Sequence, residues 1–311
     1  MLMTTMESVL SIVVMVVIGY ILTHKKWFDE KSTNLIVKLI TNISLPALMV
    51  YTLMSSFSKE QLKSSAFYLI VPFMSIFIAY FIGMFLSKVL KITPSRKGLF
   101  VSLFFNSNTI FMGLPINEAL FGPSSVPFVL LYYIANTTLF WTLGIFEITK
   151  DGSGPNNKTL SLDTLKKIIS PPLMGYIVGV ILIMLGVKLP IFIMDSCKYL
   201  GNLSTPLSMM FIGVTIYSID IKKLRFSIEM FTIMLGRFLV SPIIVIILCV
   251  FFPMPKLMKD VFVIQAAMPV MTNSAIVSKA YDADYEFAAI MISVTTLASI
   301  FVIPIYRMVL G

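Results

Sequence analysis

Long apolar stretches, interrupted at intervals by short polar ones, run along the whole chain. Each apolar stretch covers about 20 residues, which is the length that an α-helix needs to cross the hydrocarbon core of a bilayer. The pattern predicts an all-α polytopic membrane protein with ten transmembrane helices. The predicted spans are 7–23, 31–55, 64–88, 97–120, 124–147, 168–187, 196–218, 228–252, 260–281 and 285–310.

The composition agrees with a membrane protein. Of the 311 residues, 58% are hydrophobic and 13% are charged, and the mean hydropathy is +0.93, whereas a soluble domain carries about 25% charged residues. The net charge of +9 is spread over short loops, so we expect no nucleic-acid partner. Cys197, Cys249 and the single histidine, His24, form no ligand pattern, so we expect neither a metal site nor a disulfide.

The distribution of basic residues predicts the orientation in the membrane. Of the 24 Lys and Arg residues, 15 lie in the loops on one side and 7 on the other, and Lys38 and Arg237 lie within predicted spans. The side richer in basic residues is the cytoplasmic one. We therefore expect a multi-pass protein of the cell (plasma) membrane, with both termini outside. The basic group 24–26 follows the first apolar run, which favours a retained helix over a cleaved signal peptide.

A polar, glycine-containing segment at 149–163 predicts a cytoplasmic loop between a first repeat at 1–148 and a second at 164–311. Each repeat contains five spans, and similar motifs recur in the same order. The pairs are Gly19-Tyr20-Ile21 with Gly175-Tyr176-Ile177, Asn42-Ile43-Ser44-Leu45-Pro46 with Asn202-Leu203-Ser204-Thr205-Pro206, and Gly113-Leu114-Pro115-Ile116 with Ala267-Met268-Pro269-Val270. An odd number of spans inverts the second copy, which is the plan of many secondary transporters.

Polar residues interrupt the fourth and ninth spans, where a continuous membrane helix would carry apolar ones. We expect helix breaks at Gly113, Pro115 and Pro269, because proline removes a backbone donor and lipid offers no replacement partner. A broken helix presents unpaired N–H groups and a positive dipole end, which suit an anion. The substrate-binding candidates at these breaks are Asn106, Ser107, Asn108, Thr109, Thr272, Asn273 and Ser274. Helix packing is the alternative role for these residues.

Several motifs resemble those of the auxin efflux carrier family, which contains plant PIN-type carriers and bacterial malate-permease-like proteins. The fourth span, from Asn108-Thr-Ile-Phe-Met to Gly113-Leu-Pro-Ile, resembles the corresponding helix of that family. The ninth span, from Ala266-Ala-Met-Pro-Val to Ser278-Lys-Ala-Tyr, and the pair Trp141-Thr-Leu and Phe146-Glu147 also resemble it. The resemblance extends over the whole chain.

The resemblance implies an inverted five-helix repeat, similar to the sodium/bile-acid symporters, with broken helices four and nine crossing near the membrane centre. It places the crossing point at Ser107–Asn108, with Pro115 as a bend. Helices 7–23, 31–55, 168–187 and 196–218 would form a scaffold and a homodimer interface. Segments 64–147 and 228–310 would form a transport unit that moves like an elevator.

The chain departs from the PIN-type pattern at two points. Ser107 and Ser274 stand where PIN-type proteins place crossover prolines, and the central loop is short. Both departures favour the bacterial branch. We therefore expect a small organic anion, malate or another carboxylate, as substrate rather than auxin.

Four further polar residues in the spans each have two interpretations. Asn42 and Asn202 precede prolines and either restore backbone hydrogen bonds or face the substrate from the scaffold side. Asn136 either packs helices or lines the same cavity. Arg237 lies near the middle of the eighth span, where charge is costly. It either bonds to a helix C-terminus or a carboxylate, or it is the counter-charge for the organic anion.

The coupling ion stays open at this stage. No carboxylate is predicted at mid-membrane depth, so the usual proton relay is not visible. A sodium site can be built from oxygen atoms, and Gln265 or Thr295 and Thr296 are candidates. We expect no resident cofactor and no enzymatic activity, since no catalytic set is found in the spans. The alternative to a transporter is a ligand-binding membrane sensor with the same fold and no net transport.

Overall fold

The computed structural model describes residues 2–152, 171–217 and 227–311. In these three ranges the regular structure is helical, and the β-type pairing found is one isolated bridge. The α-helices are α1 (Leu2–His24), α2 (Glu30–Leu39), α3 (Leu45–Ser56), α4 (Lys59–Phe67), α5 (Ile70–Val89), α6 (Pro94–Phe105), α7 (Leu114–Phe121), α8 (Val126–Leu139), α9 (Ile145–Thr149), α10 (Pro171–Leu185), α11 (Ile191–Gly201), α12 (Ser204–Tyr217), α13 (Ile228–Leu235), α14 (Ser241–Phe251), α15 (Lys256–Ala266), α16 (Asn273–Ala280) and α17 (Tyr285–Leu310). Residues 153–163 of the predicted loop, 168–170 of the sixth predicted span and 218 of the seventh lie outside the described ranges.

Five helical stretches of the described chain are long and apolar enough to cross a membrane. They are Lys31–Ser55, Ile70–Val89, Pro123–Thr149, Ile228–Phe251 and Tyr285–Leu310. Shorter apolar helices cover Val13–His24, Thr109–Phe121 and Met174–Leu185. The all-helical, multi-pass membrane class is therefore confirmed. The fourth and ninth predicted spans are each divided into two helices, α6 with α7 and α15 with α16.

Wide helical turns of the π type occur inside several membrane helices. Those in the described chain are Ile40–Ser44, Thr109–Gly113, Phe140–Gly144 and Gly236–Val240. Pro46, Pro115 and Pro242 each stand two residues after the end of such a turn. A proline ring collides with the carbonyl group four residues earlier in an α-helix, and a wider turn relieves that collision. The helix therefore continues through these prolines.

This corrects the expectation that the helix breaks at Gly113 and Pro115. Gly113 has right-handed helical angles, with φ −62° and ψ −43°, and Pro115 lies in the first turn of α7. The wide turn at Thr109–Gly113 accommodates Pro115, which has no backbone N–H to donate. The helix ends earlier instead, at Phe105, and Pro269 does lie in a non-helical segment.

The chain divides into two compact units, and the first contains residues 2–68, 110–131 and 171–217. In this unit α1 packs closely on α12, because a Cβ added at Gly19 would collide with the carbonyl oxygen of Met210. Similarly, α10 packs on α3, where a Cβ added at Gly175 would lie 2.6 Å from Pro46 Cα. The Ser44 and Ser204 hydroxyl oxygens lie 2.9 Å apart.

The second unit contains residues 69–109, 132–152 and 227–311. Arg96 joins the beginnings of three helices in this unit. Its guanidinium lies 2.8 Å from Glu229 at the start of α13, and 2.6 Å from Asp284 before α17. Asp284 also accepts from the backbone N–H of Phe287 at 2.9 Å and thereby caps α17. The proposed repeats, and the division into a scaffold and a transport unit, stay predictions.

Candidate functional site

Two interrupted helices cross in the second unit. After α6, the chain from Asn106 to Asn108 is non-helical, and so are residues 267–272 after α15. Ser107 and Val270 form an antiparallel bridge, and the Asn108 N–H donates to the Pro269 carbonyl at 2.8 Å. Extended backbone at membrane depth needs such partners, because lipid supplies none. The two segments satisfy part of each other's backbone and thereby fix the crossing.

Asn136 on α8 holds the first segment at this crossing. Its Oδ1 accepts from the backbone N–H of Ser107 at 3.0 Å, and its Nδ2 donates to the Ser107 carbonyl at 2.9 Å. The Ser107 hydroxyl lies 3.2 Å from the same Oδ1. A single buried amide therefore bonds to both backbone groups of Ser107, whose carbonyl also accepts from the Thr109 N–H at 3.0 Å.

Thr295 on α17 holds the second segment in a corresponding way. The Val270 N–H donates to its Oγ1 at 3.2 Å, and the Thr295 hydroxyl donates to the Met291 carbonyl at 2.7 Å. In the sequence, Thr295 is marked only as a polar residue within an apolar span. Sequence reasoning named Thr295 only as an oxygen donor for an ion, so its role in the crossing was missed.

The polar residues that follow the two breaks also meet. Asn108 Nδ2 donates to Thr272 Oγ1 at 2.8 Å. Asn108 is only 5% exposed, and Thr272 and Asn273 are half-buried. The Thr109 carbonyl accepts from Gln265 Nε2 at 3.3 Å. Asn108 and Thr109 of the fourth predicted span thus meet Thr272 and Gln265 of the ninth, and Gln265 had been considered only as an oxygen donor for an ion.

Some buried polar atoms at and beside the two helix breaks keep unused hydrogen-bonding capacity. Within the described chain, Asn106 Oδ1, Gln265 Oε1 and Ser274 Oγ have no hydrogen-bond partner. An unpaired buried polar group costs about 1–3 kcal/mol of stability. A bound ligand or an ordered water would supply the missing partners.

Arg237 is fully buried and binds both helix ends that stop at the crossing. Its donors point at the last carbonyl groups of α6 and α15 and at one carbonyl just beyond. The acceptors are Phe105 O at 3.0 Å, Phe104 O at 3.3 Å, Ala266 O at 2.6 Å and Met268 O at 3.2 Å. Of the two roles considered for Arg237, this geometry is that of a helix C-terminus partner, with its positive charge at two negative dipole ends.

Asn42 and Asn202 belong to the first unit. Asn42 lies in the wide turn Ile40–Ser44 and Asn202 between α11 and α12, and both are exposed. The serines two residues later, Ser44 and Ser204, are the buried members of these motifs. A substrate contact for either asparagine stays a prediction.

A family model described as membrane transport protein matches residues 4–307. The chain belongs to this family. The resemblance to auxin efflux carriers is thereby confirmed. An uncharacterized transporter of Methanocaldococcus jannaschii is 25% identical over 99% of both chains. An uncharacterized transporter of Methanothermobacter thermautotrophicus is 24% identical, also over 99% of both chains. The membership and the apolar helices make this a multi-pass membrane protein of a transporter family.

Proposed function

We propose that this protein is a secondary transporter of a small organic anion, malate or another carboxylate, which binds at the crossing in the second unit. The observation that carries the proposal is the antiparallel crossing of two interrupted helices, with amide and hydroxyl side chains at the restart of each. Transporters with inverted repeats bind substrates where discontinuous helices meet.

The electrostatics of the crossing favour an anion. The C-termini of α6 and α15 meet there with the N-termini of the two helical segments that follow the breaks. Arg237 compensates the carbonyl groups of the C-terminal ends, whereas the restarts at Thr109 and Asn273 present the positive ends of their dipoles. A carboxylate would therefore find N–H groups and neutral donors such as Asn108 and Thr272.

The proposal assigns different tasks to the candidate residues. Asn108, Thr109, Thr272, Asn273 and Ser274 stand at the restarts and are the proposed substrate contacts. Ser107, Asn136 and Arg237 hold the crossing together. Asn106 has an unpaired buried oxygen beside the break and is kept as a contact. Asn42 and Asn202 are kept as contacts from the scaffold.

An elevator mechanism and an inverted repeat of ten spans are part of the proposal. The first unit contains the described parts of the first, second, sixth and seventh predicted spans, which are the proposed scaffold, and also residues 64–68 and 110–131, which the proposal assigns to the transport unit. The close contacts of Gly19 with Met210 and of Gly175 with Pro46 support pairing of the two repeats. We also propose a homodimer through the scaffold, both termini outside the cell, and an unassigned coupling ion.

Transport assays in liposomes test the function. The purified protein is reconstituted, and uptake of labelled malate, lactate and indole-3-acetate is compared with protein-free vesicles. We expect saturable uptake of malate or another carboxylate, inhibited by unlabelled substrate. Asn34→Ala, an exposed amide on α2, serves as the matched control for Asn108→Ala. Binding of a carboxylate without uptake would favour the sensor, and neither binding nor uptake would reject the anion site.

A further inference from the structure

An open cavity of about 220 Å³ lies between α5, α6 and α9 in the second unit, and its lining includes no residue of the two helix breaks. Three ammonium groups and two carboxylates stand in its wall. We call it the lysine pocket. Its charged residues are Lys88, Lys97, Lys150, Glu147 and Asp151.

Asp151, just after α9, is already hydrogen-bonded within the protein. Its two carboxylate oxygens accept from the backbone N–H groups of Gly98 at 2.7 Å and Leu99 at 2.6 Å. Burial raises the pKa of Asp151 to about 6, in spite of these bonds. This carboxylate therefore holds α6 and offers no unpaired negative group to the cavity.

Glu147 is likewise used internally. It is 5% exposed, and its Oε1 accepts from the Tyr80 hydroxyl at 2.7 Å and from Lys150 Nζ at 2.8 Å. Among the residues that the structure describes, no carboxylate pairs with Lys88 or Lys97. With three ammonium groups and two carboxylates in its wall, the pocket has an excess of one positive charge when both carboxylates are ionised.

The pocket stands at the end of a membrane span and beside an apolar strip. The span Ile70–Val89 on α5 ends next to Lys88. Phe81 and Phe85 on this helix are 56% and 66% exposed. They precede Met84 and Lys88, which line the pocket, by three residues each, and this spacing places the two pairs on neighbouring faces.

We propose that the lysine pocket binds a phosphate ester, presented by the headgroup of an anionic phospholipid whose chains lie along Phe81 and Phe85. A phosphate carries the negative charge and acceptor oxygens that ammonium groups bind. Basic pockets between transmembrane helices on the cytoplasmic side are a known form of headgroup site. The predicted orientation places Lys88, Lys97 and Lys150 on that side.

Lipid titrations of the purified full-length chain test this proposal. Dioctanoyl phosphatidylglycerol and dioctanoyl phosphatidylcholine are added separately, and bound lipid is counted by native mass spectrometry together with the melting temperature. We expect the wild type to bind the phosphatidylglycerol preferentially. Lys88→Gln/Lys97→Gln should weaken this binding about 30-fold, which corresponds to about 2 kcal/mol for two basic side chains.

Control variants separate the pocket from general charge effects. Lys25→Gln/Lys31→Gln removes the same charge from exposed positions on the same predicted side and should bind like the wild type. Lys97→Arg keeps the charge and should retain binding. Equal binding of both lipids, or unchanged phosphatidylglycerol affinity in Lys88→Gln/Lys97→Gln, would overturn the proposal.

A soluble ester identifies the source of the phosphate. Glycerol 3-phosphate is titrated under the same conditions. Binding at least tenfold weaker than that of the phosphatidylglycerol supports the lipid headgroup. Equally tight binding with the same dependence on Lys88 and Lys97 keeps the phosphate site and overturns its assignment to a lipid.

Discussion

The Asn136 side chain of α8 exchanges two hydrogen bonds with the backbone of Ser107, at 3.0 and 2.9 Å. Both residues are buried. Ser107 also forms the bridge to Val270. One amide therefore determines whether the first interrupted helix can keep the extended backbone that the crossing requires.

Asn136→Ala is expected to destabilise the protein. It leaves the buried N–H of Ser107 without a partner, at a cost of about 1–3 kcal/mol, whereas the Ser107 carbonyl still accepts from the Thr109 N–H at 3.0 Å. The melting temperature in detergent should fall clearly, and transport should fall with it. Thr138→Ala, two residues later on the same helix and half-buried, is the control and should change little. An unchanged melting temperature of Asn136→Ala would contradict the role assigned to this amide.

Asn108→Ala should mainly weaken substrate binding. Asn108 stands at a helix restart, and its amide bonds to Thr272 at 2.8 Å. We expect a five- to tenfold lower affinity for the carboxylate, since one hydrogen bond contributes about 1 kcal/mol. Measured binding affinity and melting temperature are compared for this variant and Asn34→Ala.

A double-mutant cycle with Thr272→Val shows whether the two residues act together. Non-additive losses of affinity are expected, because each substitution removes the same bond. A large loss of thermal stability in Asn108→Ala with unchanged affinity would instead mean that the residue only packs the helices.

The apolar pattern and the polar interruptions predicted the helical membrane class and the segments that meet at the crossing. This worked because a polar residue in a lipid-spanning helix is costly unless something binds it. The fourth and ninth spans can be recognised in the sequence by such polar residues. Two polar runs interrupt the apolar pattern there, at Asn106–Thr109 and at Thr272–Ser274.

The partners of Arg237 could not be predicted in the same way. Its acceptors are backbone carbonyls at Phe105 and Ala266, which any residue type carries, so no side-chain pattern marks them. The wide turn before Pro115 shows a related limit. Proline predicts a disturbed helix, but whether the helix ends or widens depends on the packing around it.

Arg237→Gln is expected to destabilise the protein strongly. The substitution removes the positive charge from two helix C-termini and leaves several buried carbonyls without donors, for a loss of about 3 kcal/mol or more. Arg237→Lys should also destabilise, because a single ammonium group cannot reach both helix ends. Melting temperatures are compared with Lys38→Gln, an exposed charge within another span. Unchanged stability with lost carboxylate affinity would instead identify Arg237 as the substrate counter-charge.

Asp151 should make stability depend on pH. Its pKa is raised from 3.8 to about 6 by burial, so the folded protein binds this proton more tightly than the unfolded chain. The stabilisation from the protonated carboxyl is fully present below pH 3.8 and is lost as the pH rises through about 6. Melting temperatures are measured between pH 4 and 7 for the wild type and Asp151→Asn.

The wild-type melting temperature should fall with rising pH more than that of Asp151→Asn, which cannot titrate. The difference should develop mostly between pH 4 and 6. Asp195→Asn, which removes an exposed carboxylate on α11, should retain the wild-type slope. If Asp151→Asn and the wild type follow parallel curves, this carboxyl does not hold its proton more tightly in the folded state. In that case the bonds from Gly98 and Leu99 outweigh its burial.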